Sequence, residues 1–90
     1  MNVIFVFQGN NANFASAVFS NKENAVKWIR DYRLSGILTQ YPIDNPIYDW
    51  AIDNGYFSPN QDIHKMPEFI EKFSSAYLEH WHFKNGNIIT

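Results

Sequence analysis

His80-Trp81-His82 is the pattern in this sequence that most resembles chemistry. On a β-strand alternate residues point the same way, so both imidazoles would share one face with their Cα atoms about 6–7 Å apart. That separation allows two ligands to one zinc or nickel ion. A third ligand would have to come from His64, Asp62, Glu68 or Glu71, and only folding could bring it there. On a helix the two rings would diverge by about 200° and the chelate would be lost. A pair of surface histidines on a sheet accounts for the same three letters.

A second constellation lies at residues 44–57. Asp49 and Asp53 stand i, i+4, a like-charge spacing that costs a helix about 0.2–0.5 kcal/mol, and Asp44 lies just upstream. Tyr48, Trp50, Tyr56 and Phe57 are interleaved with them. Not all of these rings fit on one buried stripe, and Trp50 is the one that should be left partly exposed. Carboxylates around an aromatic anchor suit an interface for a basic protein partner, with Asp44, Tyr48, Asp49, Trp50, Asp53 and Tyr56 as its residues. A solvated helix face, with Trp50 packed on a neighbouring loop, is the plainer reading of the same segment.

Other chemistries are poorly served. Ser16, Ser20, Ser35, Ser58, Ser74 and Ser75 lack the G-x-S-x-G setting of an activated nucleophile. H-E-x-x-H, Walker A and G-x-G-x-x-G sequences do not occur. Zero cysteines exclude a disulfide scaffold, a thiolate metal site and a cysteine nucleophile. Seven Lys and Arg against nine Asp and Glu give a formal charge of -2, without the basic footprint of nucleic-acid binding. No catalytic residues are therefore assigned. The longest apolar run, Val3 to Phe7, is far too short to span a bilayer. A soluble, cytoplasmic domain without a membrane partner is expected.

The elements that must position these residues can be read along the chain. Ninety residues, 46% hydrophobic and 18% aromatic, suffice for one domain with a real core, of radius of gyration about 12 Å. Val3–Phe7 suits a strand buried on both faces, and the Gly- and Asn-rich stretch 8–13 should turn it into a second strand at 14–19. Ser20-Asn21-Lys22-Glu23 has the form of a capping box. It predicts a helix over 21–34 that sets Ala25, Ile29 and Tyr32 on the sheet and stops at a left-handed Gly36. A third strand follows at 37–43, with Pro42 at an edge or terminus. Asn45-Pro46 should cap a short helix ended by Gly55, with Ile47, Ala51 and Ile52 inward. Pro67 starts another helix carrying Phe69, Ile70 and Phe73. Beyond it, Phe69, Phe73, Tyr77 and Trp81 keep helical spacing, while 77–83 also alternates as a strand does. Because Asn85-Gly86 is a strong hairpin signal, a short helix and then a strand at 75–83 is favoured. The sum is a single α+β domain over 1–90, a mainly antiparallel sheet with helices packed on one face, in the order β-β-α-β-α-α-β-β.

The chain also resembles a family of small uncharacterised bacterial proteins, a domain of unknown function. The resemblance rests on Val18-Phe19-Ser20-x-Lys22-Glu23-x-Ala25-x-x-Trp28-Ile29, on Leu34-Ser35-Gly36-x-Leu38-Thr39-x-Tyr41-Pro42-x-Asp44, on Tyr48-Asp49-Trp50-Ala51-Ile52-x-x-Gly55-Tyr56-Phe57, and on Glu79-His80-x-His82-Phe83. It covers nearly the whole chain and implies no reaction and no site residues.

Two functional expectations follow. The first is a non-enzymatic interaction module of the kind that lets a bacterial immunity protein bind and neutralise a toxin, its partner a basic toxin domain met through 44–57. The competing one is a small metal- or ligand-binding protein, with hydrolysis as its extreme form, holding zinc through His80 and His82. A third reading pairs two copies through the uncovered sheet face.

Overall fold

Alternation of side chains across a pleat decides which half of each strand reaches the core. In the computed structural model, which describes residues 2–89, five strands are β1 (Val3–Gly9), β2 (Ala17–Phe19), β3 (Gly36–Pro42), β4 (His80–Lys84) and β5 (Asn87–Ile88). They form one sheet in the order β2-β1-β3-β4-β5, and every neighbouring pair is antiparallel. Residues opposed in an antiparallel pair share a face. Phe5 faces Phe19 and Gln40, Phe7 faces Leu38, and Leu38 in turn faces Trp81. On this face Phe5, Phe7, Leu38 and Phe83 are buried with Ala25 and Ile29 of helix α1 (Lys22–Asp31), and Trp28, Phe19 and Trp81 pack around them. Ile4 and Val6 look the other way and are half-buried, so β1 is covered on one side rather than on both.

The α+β class and the order of elements agree with the sequence pattern, and several boundaries move for local reasons. Asn21, not Ser20, caps α1, its side chain accepting the Asn24 N–H at 2.8 Å. The helix stops at Asp31 because Arg33 takes the left-handed turn at φ 56. The Leu34 and Arg33 N–H groups then bond the carbonyls of Ile29 and Arg30, a Schellman closure. Tyr32 is therefore the C-cap and points outward, 69% exposed, instead of lying on the sheet. Gly36 does not end the helix but lies inside β3, where a Cβ would stand 2.3 Å from the Gln8 carbonyl oxygen. The second strand shrinks to three residues because 10–16 is taken up by loop hydrogen bonds such as Ser16 N–H to Phe7 O.

Helix α2 (Ile47–Asp53) begins one residue later than its Asn45-Pro46 signal implied. Pro46 is the N-cap, and its carbonyl accepts the Trp50 N–H at 2.8 Å. Gly55 ends the helix as foreseen, with φ +76 and a second Schellman closure from Tyr56 and Gly55 to Ala51 and Ile52. A short 3-10 helix at Asp62–Lys65 and α3 (Pro67–Ile70) follow. Strand β4 starts at His80 rather than 75, and one further hydrogen bond, Gln40 N–H to Glu79 O, extends its pairing. Asn85 (φ 51) and Gly86 (φ 86) make the tight hairpin to β5, pinned on the end of α1 by Gly86 N–H to Leu34 O and Asn85 N–H to Ser35 Oγ.

The radius of gyration is 14.7 Å, well above the about 12 Å of a compact chain this long. The excess has a source in the segment between β3 and β4. Its helices make little contact with any strand and gather instead around their own rings: Tyr48, Phe57, His64, Phe69 and Phe73 pack at centroid distances of 4.9 to 5.9 Å.

Candidate functional site

Helical spacing divides α2 between that cluster and water. Ala51 is fully buried, and at 100° per residue Asp49 and Asp53 lie roughly opposite it, with Trp50 at their side. Asp44, Asp49 and Asp53 are all exposed. The single ion pair among the described residues is Lys27 with Asp31 at 2.7 Å, so all three carboxylates face solvent without a cation. Asp49 lies in the first turn, where the helix dipole favours it, and Asp53 in the last, where the dipole opposes it.

Trp50 stands half-buried at the root of an aromatic ladder. Its ring lies 5.3 Å from Tyr56, and Tyr56 stacks on Tyr77 at 4.2 Å with planes 4° apart. Tyr56 is 45% and Tyr77 65% exposed, so much of the ladder is wet. The Asn54 side chain donates to the Trp50 carbonyl at 2.8 Å and holds the helix end beneath it. Tyr48 is separated from this group: its hydroxyl donates to the His64 carbonyl at 2.9 Å, and its ring packs on Phe57 and Phe73. Of the six residues that the sequence marked, Asp49, Trp50, Asp53 and Tyr56 share one surface. Asp44 lies before the helix in a left-handed turn at φ 60, and Tyr48 belongs to the interior of the lobe. Tyr77, twenty-one positions beyond Tyr56, had no local signal; only tertiary contact places its ring there.

The histidines separate likewise. His80 and His82 do share a face of β4, opposite Thr39 and Ile37, with ring centroids 5.3 Å apart and planes at 71°. His80 Nδ1 is 2.7 Å from the Leu78 carbonyl oxygen. His64 belongs to the aromatic cluster, between Phe57 and Phe69, with Nδ1 buried and unpartnered. Among the described residues no group of three or more His, Cys, Asp or Glu could hold a metal ion. His64, Asp62, Glu68 and Glu71 thus supply no third ligand.

Residues 4–89 match a family described as a domain of unknown function, DUF7710. The chain belongs to that family. No curated protein and no solved structure matches it. In this DUF7710 chain, no helix among the described residues is long and apolar enough to cross a membrane.

Proposed function

We propose that this DUF7710 chain is a non-enzymatic protein-binding module, of the type by which a cytoplasmic immunity protein captures and blocks a bacterial toxin. One observation carries the reading: the exposed Tyr56–Tyr77 stack, rooted on the half-buried Trp50, lies beside Asp49 and Asp53, which pair with no cation among the described residues. Rings exposed to solvent forgo burial worth about 1.5–3 kcal/mol per large side chain, and docking would recover it. The carboxylates select a basic partner and steer its approach, while the rings supply contacts that hold it.

The test asks whether the gene neighbouring this one encodes a basic, toxin-type product and, with that product immobilised, measures binding kinetics. The double variant Asp49→Lys, Asp53→Lys should slow association, within the about 10–10³-fold range of electrostatic steering, and flatten its salt dependence. Tyr77→Ala should act instead on dissociation. A complex unchanged by both variants, or a neighbouring basic product that does not bind, overturns the proposal.

A further inference from the structure

We propose that His80 and His82 together chelate one divalent transition-metal ion on the open face of the sheet. Both imidazoles project from β4 away from the core face that carries Trp81 and Phe83. His80 also lines a cavity of about 360 Å³ with Thr39, Tyr41 and Leu78, so an ion can reach it.

The spacing of the rings fits a shared ion. A metal about 2.0–2.1 Å from one nitrogen of each ring lies about 3.2 Å from each centroid, and ligand angles between 90° and tetrahedral then place the centroids about 4.5–5.2 Å apart. The observed 5.3 Å needs only a small closure. The Leu78 carbonyl oxygen can only accept, so His80 Nδ1 carries the proton of that 2.7 Å hydrogen bond. The lone pair of the neutral ring is thereby on Nε2. A backbone carbonyl holding the far nitrogen is the usual support of a metal-bound histidine, because it fixes tautomer and ring direction together.

Two imidazoles and no carboxylate define the ligand class. Copper, nickel and zinc suit such nitrogen donors, with copper(II) bound most tightly, whereas magnesium and calcium require oxygen ligands. With two protein ligands the remaining coordination positions belong to water, so the ion exchanges readily.

The experiment is a titration of tag-free protein with copper(II) alone and then zinc(II) alone, by calorimetry and, for copper, electron paramagnetic resonance. One ion per chain is expected, with two imidazole nitrogens in the copper spectrum. His80→Ala and His82→Ala should each weaken binding by at least about tenfold, no less than the low end of what loss of a supporting hydrogen-bond partner costs. If His80→Ala does not fold, His80→Gln and His82→Ala make the same comparison. Absence of binding, a single-nitrogen spectrum, or affinity unchanged in both variants overturns the site.

Discussion

Gly9 and Gly36 face each other across β1 and β3, yet alanine at the two positions should have opposite effects. A Cβ on Gly36 would lie 2.3 Å from the Gln8 carbonyl oxygen, 2.7 Å from Phe7 Cζ and 2.8 Å from Gly9 Cα. Comfortable contact needs about 3.5 Å. The Phe7 ring end could shift, but the other two atoms are backbone, so the two central strands must separate by about an ångström. Overpacking of this kind costs about 1–3 kcal/mol, and a backbone obstacle puts Gly36→Ala at the upper end, near 3 kcal/mol. A domain of this length holds about 5–13 kcal/mol in all. At about 4–8 °C per kcal/mol the melting temperature should fall by about 12–24 °C. On Gly9 the same Cβ would meet Ala12 Cβ at 3.7 Å and the Ser35 oxygen at 3.8 Å, ordinary contacts. Gly9→Ala should therefore stabilise by about 0.4–1 kcal/mol through the unfolded chain. Urea and thermal unfolding followed by circular dichroism measure both. A Gly36→Ala cost below about 1 kcal/mol, or a Gly9→Ala variant less stable than Gly36→Ala, would refute the close approach as the reason for the glycine.

Two further substitutions probe the boundaries and the lobe. Asn21→Ala should lower stability by about 1 kcal/mol as the cap of α1 is lost, while Ser20→Ala should stay within about 0.5 kcal/mol of wild type in the same melts; the reverse ranking would restore the serine as cap. Tyr48→Phe removes the hydroxyl that donates to the His64 carbonyl and should cost about 1 kcal/mol, with faster amide hydrogen exchange confined to the segment between β3 and β4; unchanged exchange would mean the hydrogen bond does not hold the lobe.

Where the chain announced itself, short-range chemistry was sufficient. Val3–Phe7 as strand, Ala25 and Ile29 as the buried stripe of α1, Gly55 as a left-handed stop and Asn85-Gly86 as a hairpin all depend on neighbours within a few residues. The α+β class and its element order follow from them. The same locality put His80 and His82 on one face once β4 was a strand, and put Asp49, Trp50 and Asp53 on one side of α2. Boundaries were less legible because adjacent residues compete for one role: Asn21 displaced Ser20 at the cap, and Arg33 rather than Gly36 took the left-handed turn.

Contacts between distant segments decided the rest. No pattern near Tyr56 could announce that Tyr77 would stack on it, nor that Tyr48 would turn inward to the His64 carbonyl. His64 carries the same side chain as His80, yet packing between Phe57 and Phe69 removes it from the pair on β4. Residue type and spacing set what each side chain can do, because propensity and periodicity act over a turn or a pleat. Which groups meet depends on how separate segments pack, and that choice is made only when the whole chain has closed around its core.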